Sequence, residues 1–166
     1  MGKKGRFWVY MVLVASVAIP LSSIFFQISV VRGESMQPTI MDGDRLFVEK
    51  ISPVIGEIKR FDIVIIKDPR DGKETYVKRV IGLPGEKVSI KNGRIVVNGR
   101  VYPEYFYKTA QIYNSKEWEV PKGCYFVLGD NRPVSLDSRE FGFVPKELIK
   151  GKVKFCIWPL FRFGAF

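Results

Sequence analysis

The sequence predicts a mainly β domain of curled antiparallel sheets, barrel-like in form, preceded by one membrane-spanning helix. Three observations carry this. Residues 7–26 form one uncharged apolar run. Beyond Val30 the chain breaks into short runs of β-branched and aromatic residues, divided by Gly, Pro, Asn and Asp. Two Asn-Gly pairs, Asn92-Gly93 and Asn98-Gly99, stand between such runs, where tight hairpin turns require them.

The first element is the run from Phe7 to Phe26, FWVYMVLVASVAIPLSSIFF. As a helix it spans roughly 30 Å, about one hydrocarbon core. Pro20 would kink it, which membrane helices tolerate. Trp8 and Tyr10 sit near one end, as interfacial aromatics do, and Lys3, Lys4 and Arg6 precede it, with no acidic residue before Glu34. The positive-inside rule then places the N-terminus in the cytoplasm and the chain after about residue 30 outside. A cleaved secretory signal is the rival expectation, because Ser16-Val17-Ala18 is a small-x-small triplet. The apolar run continues well past that triplet, so a retained anchor is favoured. The resulting layout is a basic tail over 1–6, an anchor over 7–28 and a β-rich domain over 29–166.

Arg45–Glu49 partly alternates and reads as a strand. Asp62–Lys67 is continuously apolar at its centre, which suits a buried strand. The polar cluster 68–73 and the run Thr75–Gly82 make 62–82 a hairpin. Lys87–Ile90, Arg94–Val97 and Arg100–Tyr102 form a meander on the two Asn-Gly turns, inserted at about 84–122 between core segments 29–83 and 123–166. Residues 103–120 carry no clear pattern. Gly123–Leu128 and Lys152–Trp158 are the last strands, with a helical turn at Pro145–Ile149.

The composition, 46% hydrophobic and 27% charged, suits a packed domain. The chain has no histidine. That removes Ser-His-Asp and Cys-His catalysis and histidine zinc sites, and leaves a lysine, a carboxylate or a metal without histidine ligands for any proton transfer. Two cysteines, Cys124 and Cys156, cannot alone build a structural zinc site; they form one disulfide or remain two buried thiols. The net charge of +10 falls to +7 without the three tail cations. It fits either an anionic partner or an ordinary lysine-rich surface.

Three segments could carry chemistry. In Gly33-Glu34-Ser35-Met36-Gln37-Pro38-Thr39 a serine lies between a glycine and a Pro-Thr turn, where its hydroxyl can be exposed and its N–H aimed at an oxyanion. Taken alone, such a serine is usually a loop residue. Lys78 interrupts an apolar strand. Alternation puts Tyr76, Lys78 and Val80 on one face and Val77, Arg79 and Ile81 on the other, so one of the two cations shares a face with buried neighbours. A desolvated lysine with a lowered pKa is a usable base, whereas a solvated one is not. The third segment, Gly129–Arg139, is a polar loop after an apolar strand. Asp137 and Arg139 can pair there, and Ser135 or Ser138 can orient an amine.

Together, Ser35-Met36-Gln37-Pro38-Thr39, Lys78 through Glu86, and Gly129-Asp130-Asn131 with Ser135, Asp137, Ser138 and Arg139 resemble the ordered motifs of type I signal peptidases, over nearly the whole chain. The resemblance implies a membrane-bound serine endopeptidase that removes signal peptides from exported preproteins after an Ala-x-Ala pattern. In it Ser35 is the nucleophile, Lys78 the general base and an acyl-enzyme the intermediate. It further implies that Ser135 orients the lysine, that Asp137 and Arg139 form a structural ion pair and that the Ser35 N–H serves the oxyanion hole. Gly33 stands where some members carry a hydroxyl donor, as in Gram-positive-type members, and leaves the second donor open between a backbone N–H and a water. Val31, Met36, Ile40, Tyr76 and Val77 would line shallow apolar pockets, and the substrate would add as a strand. The resemblance implies no cofactor and no metal. The expected partners are preprotein signal peptides, the lipid bilayer and a secretion translocase, with no nucleic acid.

The tail Trp158–Phe163 is aromatic and basic, and reads either as a core strand with a frayed end or as a contact with the outer membrane interface. Two other functions compete. A self-cleaving Ser-Lys repressor would need a DNA-binding or partner domain where the apolar run stands. A lipid- or nucleic-acid-binding β-module would need a clustered aromatic and lysine platform and would leave Ser35 without a role.

Overall fold

Ile63, Val64, Ile65 and Ile66 are all buried, and this four-residue run organises the domain. Ile63 and Ile65 enter one core cluster with Met36, Ile40, Leu46, Val48 and Val153, while Val64 and Ile66 enter another with Val80, Val127 and Val144. A strand buried on both faces needs no alternation, which is why the apolar run is continuous.

The computed structural model describes residues 2–103 and 115–166, with the side chains of residues 3, 4, 6, 15 and 17–22 outside the description. The elements in chain order are α1 (Lys3–Phe25), β1 (Phe26–Val30), β2 (Arg45–Glu49), α2 (Ser52–Ile55), β3 (Ile63–Lys67), β4 (Thr75–Gly82), β5 (Lys87–Lys91), β6 (Arg94–Val97), β7 (Arg100–Val101), β8 (Trp118–Glu119), β9 (Cys124–Leu128), α3 (Ser138–Phe141), β10 (Val144–Pro145), β11 (Ile149–Trp158) and β12 (Gly164–Ala165). A curled antiparallel sheet runs β1-β2-β11-β3-β4-β9-β10, with β12 added to β11; a second sheet runs β7-β6-β5-β8. The fold is mainly β, as expected, and the larger sheet is a half-barrel.

The expected hairpin pairs Ile63 with Arg79 and Lys67 with Thr75. The expected meander is also present, and both Asn-Gly turns put both residues at positive φ: Asn92 49°, Gly93 76°, Asn98 50° and Gly99 80°. That backbone matches the twist of a two-residue hairpin and is the reason Asn-Gly occurs there. The small sheet packs Val88, Ile90, Ile95 and Val97 against Ile81, Phe126 and Leu128 of the large one. Of the inserted segment 84–122, residues 104–114 lie outside the described residues.

Several elements differ from expectation. The helix ends at Phe25, and Phe26–Val30 is strand, because its backbone pairs with Arg45–Glu49. Among the described residues no helix is long and apolar enough to cross a membrane. β11 starts three residues early, since Ile149–Lys152 pair with β3 before the strand moves along β2. The helical turn is a 3₁₀ turn at Lys146–Leu148. Of the two alternatives left open for the cysteines, the free thiols hold, Cys156 buried and Cys124 half-buried.

Candidate active site

Ser35 is placed by its neighbours. Met36 and Ile40, four residues apart, are both buried in the cluster beneath the sheet. The Ile40 N–H donates to the Met36 carbonyl at 3.0 Å, so the segment makes one helical turn pinned by two apolar anchors. Its ends are tied by Val31 N–H to the Asp44 carbonyl at 2.9 Å and by Gly43 N–H to the Val31 carbonyl at 3.0 Å. Arg162, from the C-terminal tail, donates to Asp44 Oδ2 at 3.2 Å and to the Thr39 carbonyl at 3.0 Å, holding the far side of the same loop.

Lys78 comes from β4, opposite Val64 of β3. It is 2% exposed, and its Nζ lies 2.8 Å from Ser35 Oγ. Burial brings its pKa from 10.5 to about 8; Asp137 and Asp130 oppose the fall and Arg139 adds to it. A buried amine with a serine hydroxyl as its hydrogen-bond partner is therefore partly neutral near physiological pH, and neutral it can accept the hydroxyl proton. The neighbouring Arg79 is buried as well. It forms a two-pronged pair with Asp130, Nε to Oδ1 at 2.9 Å and Nη2 to Oδ2 at 2.7 Å. Both cations of β4 thus have interior roles, where alternation alone required only one.

The loop 129–139 closes over this pair. Asn131 donates its backbone N–H to the Ser35 carbonyl at 3.0 Å and its side-chain amide to the Glu34 carbonyl at 3.1 Å. A Cβ on Gly129 would fall 2.1 Å from Ser135 Oγ and 2.5 Å from the Ser35 carbonyl oxygen, so only glycine allows this approach. Asp137 is fully buried. It accepts from Arg139 Nε at 2.8 Å and Nη2 at 2.9 Å, and from the Gly129 N–H at 3.0 Å. It is a buried brace rather than a surface pair. Ser138 accepts the Val127 N–H at 2.9 Å, which spends its hydroxyl on the scaffold.

Two expected site residues sit otherwise than expected, Ser135 and Ile40. Ser135 Oγ is buried beside the Ser35 backbone, and among the described residues it has no hydrogen-bond partner, Lys78 included. Gly33 has φ 93° and donates its N–H to Asp42 Oδ1 at 2.7 Å, so that N–H is occupied. Among the described residues the Ser35 N–H has no backbone or side-chain acceptor. Of the five residues expected along the cleft, Val31, Met36, Tyr76 and Val77 line a groove of about 420 Å³ that reaches Ser35, together with Gln27, Ser29 and Glu74. Ile40 is fully buried beneath it. Among the described residues no cluster of acidic and cysteine side chains could hold a metal.

Asp130, Asn131 and Gly129 are site residues that the sequence displayed without a role. Their signal was the Gly-Asp-Asn run itself; their partners, Arg79 and the Ser35 carbonyl, are distant in the chain.

Residues 5–158 match the family described as signal peptidase, peptidase S26. The chain is 44% identical over 177 aligned residues to a signal peptidase I of Bacillus caldolyticus, covering 98% of this chain and 95% of that protein. It is 37% identical over 175 residues to signal peptidase IB of Staphylococcus aureus strain Mu50, covering 94% and 91%. A crystal structure of a signal peptidase I from Enterococcus faecalis V583 aligns with a TM-score of 0.50 at 36% identity, covering 58% of this chain and 96% of that one.

Proposed function

The chain belongs to the signal peptidase family, peptidase S26, and from that premise we propose that it is a membrane-anchored endopeptidase cleaving signal peptides by a Ser35-Lys78 dyad. The observation that carries this reading is the 2.8 Å contact between Lys78 Nζ and Ser35 Oγ, with the amine buried and its pKa lowered to about 8. Neutral Lys78 takes the Ser35 proton as Oγ attacks the scissile carbonyl. The resulting ammonium then protonates the leaving amine. The Ser35 N–H faces the developing oxyanion; a water or another backbone N–H is the second donor, since Gly33 is engaged with Asp42. Once Ser35 Oγ is esterified, Lys78 loses its hydrogen-bond partner. Ser135 Oγ, buried and without a partner among the described residues, then orients the amine as it activates water.

The groove lined by Val31, Met36, Tyr76 and Val77 takes the substrate as an added strand and selects small residues in an Ala-x-Ala pattern. α1 is the anchor. Phe7 through Val14 are all exposed, so this part of the helix is apolar on every side rather than along one buried stripe. The β-rich domain over 29–166 lies on the extracytoplasmic face, its aromatic tail against the bilayer, and a secretion translocase delivers the preprotein.

The test is cleavage of a preprotein with an Ala-x-Ala site by the detergent-solubilised protein, beside Ser35→Ala and Lys78→Met. Both variants should be inactive. If both cut as fast as the parent, the dyad is wrong.

A further inference from the structure

Tyr76 stands between the groove, Lys78, Asp68 and Phe141. Its ring lines the groove, Lys78 Nζ lies 5.4 Å from the ring centroid, and its hydroxyl donates to Asp68 Oδ2 at 3.1 Å. The ring also stacks on Phe141, with centroids 6.3 Å apart and planes 7° apart. Asp68 is outside the groove, in the turn joining β3 to β4, yet only 2% exposed. It is itself braced. Arg70 donates to it through Nε at 3.0 Å and Nη2 at 2.6 Å, its own N–H donates to the Glu74 carbonyl, and its carbonyl accepts the Gly72 N–H. The Arg70 guanidinium holds the Asp68 carboxyl down to about 2, so it is an acceptor at any pH of interest.

A small pocket rejects large side chains only if its walls do not yield. Val31 and Met36 are buried, so their packing fixes them. Tyr76 is only half-buried; core packing and Phe141 hold its ring from one side, and its far end stays free to shift about χ1 unless a partner fixes the hydroxyl. Here the far end is tied to a braced carboxylate.

We propose that Asp68 is a specificity-determining positioning residue: by tethering the Tyr76 hydroxyl it fixes that ring as a rigid wall of the groove and so enforces small substrate side chains. The proposal deepens the cleavage reading above and rests on it.

The experiment uses the full-length protein in detergent and preproteins that differ only in having Ala or Val at the first or third residue before the scissile bond. The readout is the ratio of kcat/KM between the Ala and Val substrates. Asp68→Ala and Tyr76→Phe should each reduce that ratio roughly tenfold, chiefly by lowering KM for the Val substrate. Asp68→Asn, which keeps an acceptor for the hydroxyl, should discriminate like the parent. The Asp68→Ala/Tyr76→Phe double variant should discriminate no worse than either single variant, because both remove one contact. Unchanged discrimination in the single variants, additive losses in the double variant, or an Asn no better than an Ala at position 68 would each overturn the tether. Tyr76→Phe keeps the ring volume, so the ratio is readable even if Asp68→Ala does not fold. A parent that cuts neither substrate overturns the cleavage reading itself, and the tether's claim on specificity with it.

Discussion

Burying an ammonium costs solvation that a single serine hydroxyl does not restore, and Lys78 responds by losing its proton more readily. If it is the base, kcat/KM rises about tenfold per pH unit below about 8 and levels off above it. A profile flat from pH 6 to 8 would remove Lys78 from that role. The same shift governs stability. The folded value, about 8, lies below the ordinary 10.5, so between these values the unfolded chain binds more protons and stability rises with pH. Below pH 8 the fold bears the full cost, on the order of 3 kcal/mol. Lys78→Met should therefore raise the denaturant midpoint at pH 7 and flatten stability between pH 8 and 10.5; equilibrium unfolding of parent and variant across that range checks both. Gly129→Ala acts on the same site by volume alone. Its Cβ would meet the Ser35 carbonyl at 2.5 Å, a backbone atom with little freedom to move. Cleavage should fall roughly a hundredfold, since small misplacements of reacting groups are costly. An Ala variant with parental kcat would show that the loop can back away from Ser35 without harm.

At the scale of elements, β4 is the strand on which the site depends. It carries Lys78 toward Ser35 and Arg79 toward Asp130 on the loop after β9. The Arg79–Asp130 pair is buried on both sides, with side-chain exposures of 8% and 1%. Removing one partner from such a pair leaves a buried charge poorly compensated. Asp130→Ala should cost roughly 3–5 kcal/mol, measured as the loss in unfolding free energy. A loss below about 1 kcal/mol would mean that water or another acceptor replaces the carboxylate. This element also marks how far the sequence was legible. The hairpin, the Asn-Gly turns and the buried run of β3 are local: each is written in residues a few positions apart, and each appears where expected. The proposed pairing of Ser35 with Lys78 was legible only from three motifs taken together, since alternation alone did not separate Lys78 from Arg79 and Ser35 alone reads as a loop residue. What was hidden depends on distant partners. Phe26–Val30 becomes strand because Arg45–Glu49 offers it an edge, β11 begins early because it pairs with β3, and Asp130 matters because Arg79 lies 51 positions away. The Asp137–Arg139 pair was visible, but not the burial that makes it a brace.

At the scale of the whole molecule, exposed aromatic and aliphatic side chains recur on β1, β11 and the C-terminal tail, interspersed with Arg45 and the Lys154–Glu49 pair. Phe26, Ile28 and Val30 of β1 are exposed, Phe26 stacks on Phe47 with centroids 5.2 Å apart, and Phe47 meets Phe155 of β11 at 6.2 Å. In the tail, Trp158, Leu160, Phe161 and Phe163 are all at least half exposed as well. Exposed aromatic side chains with basic residues among them are unfavourable in water and favourable in the interfacial layer of a bilayer. The series begins directly at the residue following the proposed anchor, which would bring it to the membrane surface, and its tail end is joined by Arg162 to the loop that carries Ser35. If these side chains lie in the interface, their contribution is additional to the anchor's and scales with buried apolar area. A protein lacking residues 2–25 isolates that contribution: it should still partition onto phospholipid vesicles. Phe161→Ser with Phe163→Ser should weaken that partitioning about tenfold or more, since the loss of two aromatic side chains from the interface exceeds 1.4 kcal/mol. Cleavage of a short soluble peptide should be unaffected by the same pair of changes, because neither side chain lines the groove. Equal vesicle binding by parent and double variant would assign the tail to the frayed end of a core strand instead.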